Sequence, residues 1–186
     1  MKKILIVFGL IIFLFWLCAK DVTAVQTQKR WANPKRLNTY IQPGLERTGM
    51  MKRAFAEWSR YAKNNIVFYY VDSLDSADID VVFVETLPDV PPGVIGLTRC
   101  TYNQKNQMAH ATIYIPAKRS NGMPLNRDAV YTSMLHEIGH AMGIVRHSTN
   151  PQNIMYPYID EKREISKFDL AELYRIYGWR DTVKMY

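Results

Sequence analysis

The sequence predicts a mixed α+β domain in which about five strands alternate with three helices. Three observations carry that expectation. Short runs rich in β-branched and aromatic residues recur between turn-forming residues, at 37–42, 66–71, 79–84, 94–98 and 111–115. Large apolar residues repeat at three- and four-residue spacing through 46–63. Two later segments carry helix start and stop signals, one closing near Met142 and one at Gly178. The chain has 186 residues with no internal repeat or low-complexity stretch, enough for one domain with its own core.

The elements follow in order. Residues 37–42 read as the first strand, and Pro43-Gly44 turns the chain. In 46–63, Met50, Met51, Ala54, Phe55, Trp58 and Tyr61 form the buried stripe of a helix. Residues 66–71 are a second strand. Val81-Val82-Phe83-Val84 is nearly continuous apolar sequence, as a strand covered on both faces requires. A proline-rich loop spans 87–93, with short strands expected at 94–98 and 111–115. The polar loop 118–127 precedes a helix that Asn126 or Asp128 can cap. Its buried side is Met134, Leu135, Ile138, Ala141 and Met142. Ser166 followed by Asp169 resembles a capping box, and Gly178 suits the end of the helix it opens.

The first residues stand apart. Lys2-Lys3 precede an unbroken apolar run from Ile4 to Leu17, the pattern of a secretory signal. The run is short against the ~20 apolar residues of a membrane-spanning helix. Val22-Thr23-Ala24 offers small residues for cleavage after Ala24, with Leu17-Cys18-Ala19 as a second site. The alternative is an uncleaved anchor, in which case the protein contacts a membrane. The expected division is a signal segment at 1–24 and a single domain at 25–186, secreted or periplasmic. Bulky Leu17 argues against a lipid-modified Cys18. Removing 1–24 leaves Cys100 alone, so no internal disulfide can form.

The whole chain carries a formal charge of +7. Residues 1–24 hold three lysines and one aspartate, which leaves +5 for the rest. The basic residues are scattered in pairs such as Lys35-Arg36 and Lys118-Arg119, with no long basic run or stacking aromatics that would indicate nucleic acid. A solvated surface is the plain reading; a preference for anionic partners is the alternative.

The chemistry concentrates in His136-Glu137-Ile138-Gly139-His140-Ala141-Met142-Gly143, then His147, then Asn153-Ile154-Met155-Tyr156-Pro157. On a helix, His136 and His140 stack one turn apart on one face and can share a metal ion. Glu137 lies beside them within reach of a water on that metal. Gly143 can take the left-handed conformation that ends a helix and reverses the chain, which brings His147 round as a third ligand. Three protein ligands with one open position are the signature of catalytic zinc.

These residues resemble the matrixin branch of the metzincin zinc endopeptidases, whose motif is H-E-x-x-H-x-x-G-x-x-H followed by a Met-turn. This chain departs by one residue: Arg146 stands where the third His is expected, and His147 follows it. Arg has no lone pair to offer, so His147 is the expected ligand and a free surface histidine the alternative. Other markers fall in the family's order. Arg30-Trp31 with Leu37-Asn38-Thr39-Tyr40-Ile41 is similar to its opening strand and Ala54-Phe55-Ala56-Glu57-Trp58-Ser59 to its first helix. Ala77-Asp78-Ile79-Asp80-Val81-Val82-Phe83 is similar to its third strand and Leu173-Tyr174-Arg175-Ile176-Tyr177-Gly178 to its last helix.

The resemblance implies a zincin-like domain, with a twisted, mostly parallel sheet of about five strands and three helices. Its zinc cleft would lie between a large N-terminal lobe and a small C-terminal lobe from Gly143 onwards. It implies a monomeric, secreted, zinc-dependent endopeptidase that hydrolyses peptide bonds of proteins through a zinc-bound water activated by Glu137. Met155 would form a hydrophobic floor under the metal. Tyr156, Pro157 and Tyr158 would wall an apolar pocket for the residue after the scissile bond. Gly93, Ile95, Gly96 and Leu97 are the expected edge along which substrate adds as an extended strand.

The family's inhibitory cysteine has no counterpart between the expected cleavage site and the domain. Cys100 is then an ordinary thiol or serves some other inhibitory role. A second, structural zinc lacks its further ligands, because 87–107 holds no His and only Asp89; this leaves His110 as a strand-end or cleft-rim residue. Calcium at Asp72, Asp75 or Asp78 has no clear loop motif behind it. Two other functions compete: a non-catalytic, secreted, zinc-stabilised binding module, and a zinc hydrolase with a distant Glu as third ligand. Intact Glu137 argues against the first, and the order Gly143, His147, Met155 against the second.

Overall fold

The computed structural model describes residues 29–180, apart from Pro88, Pro92 and Asp160. The expected export segment, with Cys18, lies outside the described residues. The elements are β1 (Leu37–Ile41), α1 (Leu45–Tyr61), β2 (Phe68–Val71), a 3-10 turn (Leu74–Ser76), β3 (Ile79–Val84), β4 (Leu97–Tyr102), β5 (Met108–Pro116), α2 (Arg127–Ala141) and α3 (Lys167–Tyr177). The strands form one sheet in the order β2-β1-β3-β5-β4. The pairs β1–β2, β1–β3 and β3–β5 are parallel, and only β4 runs antiparallel to its neighbour β5. The fold is therefore the mostly parallel five-stranded α+β arrangement with three helices.

Strand periodicity explains the core. In β1, β3 and β5 the residues Thr39, Ile79 and Ala111 lie in one row, and Ile41, Val81 and Ile113 in the next. All six are buried on the helix-covered face. In β4, Cys100 and Thr98 continue these two rows to the edge of the sheet. Period-two alternation therefore aims Thr98, Cys100 and Tyr102 at the helix side. Helix α1 buries the expected stripe: Met51, Ala54, Phe55 and Trp58 are fully enclosed. Each such large side chain contributes about 1.5–3 kcal/mol by leaving water. The Trp58 indole N–H donates to Leu135 O at 2.9 Å and locks α1 to α2.

Helix α2 is enclosed along most of its length rather than on one stripe. Asn126 is its cap, accepting from the Ala129 N–H at 2.7 Å. Its far end is fixed by groups distant in sequence. The Trp31 indole N–H donates to Ala141 O at 2.8 Å, and the Tyr177 hydroxyl donates to Met142 O at 2.9 Å. Helix α3 opens with a true capping box between Ser166 and Asp169 and ends at Gly178 in the left-handed conformation.

Two expectations are corrected. The strand placed at 94–98 begins only at Leu97 and runs on to Tyr102. Gly93, Ile95 and Gly96 are thus the approach to that strand and not its edge. Gly93 has a left-handed φ of 93°, which breaks extended geometry. The last strand is longer than 111–115 and includes His110. Among the described residues, no helix is long and apolar enough to cross a membrane.

Candidate metal centre

Helix α2 sets two imidazoles on one face, as the four-residue spacing demands. The His136 and His140 Nε2 atoms stand 3.1 Å apart. After α2, Gly143 adopts φ 104° and reverses the chain. A side chain there is excluded twice, since a Cβ would also come within 2.6 Å of Lys29 O. The reversal brings His147 Nε2 to 3.2 Å from His140 Nε2. The extra residue before His147 is absorbed by this exposed loop. His147 itself is exposed, whereas His136 is buried and His140 nearly so.

The hydrogen bonds on the far side of each ring decide its tautomer. His136 Nδ1 contacts Ile154 O at 2.8 Å, and His140 Nδ1 contacts Ile144 O at 2.6 Å. A carbonyl only accepts, so both Nδ1 atoms carry the proton and both Nε2 atoms present lone pairs. Burial pushes His136 down to about 3, with the neighbouring His140 adding to the effect. Burial also pushes His140 down to about 4, and His147 falls below its ordinary value for the same reason. His136 and His140 thus aim lone pairs at one point, and His147 brings a third ring nitrogen to it. Such a set repels itself unless a cation sits at its centre, which is the donor chemistry of zinc. The three ligand atoms lie within 4.8 Å of one another, and no other group of three His, Cys, Asp or Glu converges among the described residues.

Glu137 faces the start of β4, enclosed between that strand and α2. It is 4 % exposed. Burial pushes its carboxyl up to about 7, against the hydrogen bond from Thr98, which lowers it. A divalent cation beside it favours the ionised form. The Thr98 hydroxyl lies 2.6 Å from Glu137 Oε2 and 3.0 Å from Glu137 O. Gly96 closes the other side: a Cβ there would come within 2.5 Å of Glu137 Oε1 and 2.4 Å of Ser133 Oγ. Ser133 in turn donates to Ile95 O at 2.7 Å, which seats the approach to β4 against α2.

Met155 packs against α2 at Gly139. A Cβ at Gly139 would lie 2.4 Å from Met155 Sδ, so the Gly of the motif makes room for the sulfur. Asp169 fixes this turn from α3, accepting from the N–H groups of Ile154 at 3.0 Å and Met155 at 3.2 Å. The capping box was legible in the sequence; this second use of Asp169, fourteen residues away from Met155, was not.

A cleft of about 620 Å³ opens over the three histidines. Gly93, Ile95, Gly96 and Leu97 line it, as do Pro157 and Tyr158. Tyr156 does not; it turns away to pack under the Arg163 guanidinium, 5.2 Å from its ring centre. Thr98 and Tyr102 line the cleft without having been singled out, because their orientation depends on where β4 begins, and Cys100, expected only as a thiol of open role, lines it too. Burial pushes the Cys100 thiol up to about 11, so it stays a neutral thiol. His110 is away from the cleft, in the body of β5, where it pairs with buried Asp80 and contacts Ala77 O. Asp78 is engaged by the Asn38 N–H at 2.8 Å.

The matrixin family profile matches residues 36–178, and the chain belongs to this family of zinc metallopeptidases. Solved structures of the same fold agree. Myroilysin superposes with a TM-score of 0.53 at 15% identity, covering 82% of this chain and 97% of that one. Archaemetzincin from Methanopyrus kandleri gives 0.50 at 13% identity, covering 83% and 99%. No curated protein sequence matches significantly.

Proposed function

We propose that the chain is an exported zinc endopeptidase in which His136, His140 and His147 hold the metal and Glu137 is the general base. The observation that carries this reading is the convergence of three imidazole lone pairs beside a buried carboxylate on the floor of an open cleft. Zinc bound there supplies a water of lowered pKa, from about 15.7 towards ~7, and polarises the scissile carbonyl. Glu137 takes the proton from the attacking water and returns it to the leaving amide nitrogen. Burial raises this carboxyl and a bound cation would lower it again, so Glu137 would rest ionised and ready to accept the proton.

Substrate lies as an extended strand along β4, the edge of the sheet. Leu97 begins that edge, while Gly93, Ile95 and Gly96 shape the rim above it. Pro157, Tyr158 and Ile159 wall the pocket for the residue after the scissile bond, which favours Leu, Met or an aromatic there. A peptide library that returned charged residues at this position would refute that preference. Residues 25–186 act as one protease domain behind a signal at 1–24, and the protein works as a monomer outside the cytoplasm.

The decisive experiment measures zinc content and chelator-sensitive cleavage of unfolded casein, for wild type beside Glu137→Ala. The expected result is one zinc per chain in both proteins and a loss of roughly 10²–10⁴-fold in activity for the variant. A wild type that holds zinc yet cuts nothing would leave only the zinc-stabilised binding module.

A further inference from the structure

We infer that Thr98 is a positioning residue for the general base: its hydroxyl holds the Glu137 carboxylate in its working orientation. The inference rests on the role proposed for Glu137 and adds a residue to it.

Glu137 sits on a helix, but the helix fixes only its Cα and the root of its side chain. A glutamate keeps three rotatable bonds beyond that, and none is set by the metal-binding face. The orientation is set from the sheet. Thr98 is the second residue of β4, in the row of Ile41, Val81 and Ile113 that faces the helices. Its hydroxyl has one proton and two acceptors in range, Glu137 Oε2 at 2.6 Å and Glu137 O at 3.0 Å. The shorter contact, to the carboxylate, takes the proton in the ionised state. The carboxylate is closely confined on its other side, since even a methyl carbon at Gly96 would come within 2.7 Å of Glu137 Cγ. Oε2 is thereby tethered, and Oε1 lies against the bare Cα of Gly96, where a Cβ would come within 2.5 Å of it.

A β-branched residue suits the task. The rotamer of Thr is restricted by its two Cβ substituents, so the hydroxyl is aimed by the strand itself. A serine could make the same bond with a freer side chain. A valine keeps the shape and removes the bond.

The test compares wild type, Thr98→Val, Thr98→Ser and Thr98→Ala as purified zinc-loaded proteins, with Glu137→Ala as reference. Misplacing a reacting group by about 1 Å can cost ~10²-fold, so kcat for Thr98→Val should fall about 10- to 100-fold. KM should stay within about twofold and zinc content unchanged, because binding contacts are retained. Thr98→Ser should recover most of the lost kcat. A second readout needs no activity: crystal structures of the metal-free wild type and Thr98→Val proteins should show one Glu137 side-chain orientation in the first and several in the second. Should Thr98→Val fail to fold, the ratio of kcat between Thr98→Ser and Thr98→Ala carries the same information. Three results would overturn the inference: kcat unchanged in the hydroxyl-free variants, a rise in KM alone, or Thr98→Ser as slow as Thr98→Val. If instead wild type and Glu137→Ala are equally active, the assignment of the base itself is what fails.

Discussion

The two halves of the metal centre are built differently. His136, Glu137 and His140 stand on a helix enclosed by α1, the sheet and the turn around Met155. His147 stands on an exposed loop that reaches the site only because Gly143 reverses the chain. In the first half, geometry follows from helical pitch and is paid for by core packing. In the second, it depends on one left-handed backbone position with Lys29 O pressed beneath it. The comparison teaches that tolerance to an inserted residue belongs to the loop half. Arg146 could enter between Gly143 and His147 without moving the lone pairs apart, whereas one residue added between His136 and His140 would rotate one ring by about 100° off the face.

The largest effect that would sharpen this contrast is on zinc affinity. Replacing His140 by Ala removes the ring whose Nε2 lies 3.1 Å from that of His136 and 3.2 Å from that of His147, and should abolish stoichiometric zinc binding. His147→Ala should weaken binding by roughly 10- to 100-fold, since two buried ligands remain. Competition titration with a chromogenic chelator measures both; equal losses would erase the distinction between the halves.

Next comes the turn itself. Gly143→Ala imposes a Cβ at φ 104° and against Lys29 O. It should cost about 1–3 kcal/mol in denaturant unfolding and lower zinc affinity with it. A variant that unfolds like wild type but loses zinc would show that the loop, not the fold, carries the strain.

Acid should weaken the helix half of the metal-free centre. The folded-state values of His136 and His140 are depressed to about 3 and about 4, below the ordinary 6.5 of the unfolded chain. Between those values the unfolded chain binds more protons than the folded one. The contribution of these two rings to the stability of the metal-free protein is therefore fully present above pH 6.5 and falls as pH drops towards 4 and 3, while Glu137, raised to about 7, acts in the opposite sense between pH 4.5 and 7. Thermal melts of the chelator-treated protein should show this slope, and a His136→Asn variant should flatten it.

The smallest effect concerns the support from α3. Ser166→Ala removes one side of the capping box and should cost about 1 kcal/mol. Asp169→Ala should cost more and also lower activity, because Asp169 holds the backbone of Ile154 and Met155 as well as the helix start. Equal effects from the two substitutions would mean that the Met155 turn needs no such anchor.

Much of the fold was legible because period and composition agree along the chain. The stripe from Met50 to Trp58, the apolar run at 79–84, the Ser166–Asp169 pair and the terminal Gly178 all lie where their patterns place them. The edge strand was displaced because the region after Gly93 mixes turn and strand residues, and only pairing with β5 fixes its start at Leu97. That shift explains why Thr98 was overlooked; Tyr156 was placed in the cleft by resemblance alone, and its packing under Arg163 is a tertiary contact.

By itself, the sequence determined which residue types could form the site and the order in which they come, because helical pitch relates His136 to His140 without any tertiary contact. It also determined that His147 and not Arg146 can offer a third ligand, because only an imidazole has a lone pair. Only the tertiary structure decided how those groups are aimed. Ring tautomers are set by the carbonyls of Ile154 and Ile144, the carboxylate by Thr98 and Gly96, and the Met155 turn by Asp169. Each of these partners is brought in by chain packing, at sequence separations that no local pattern encodes.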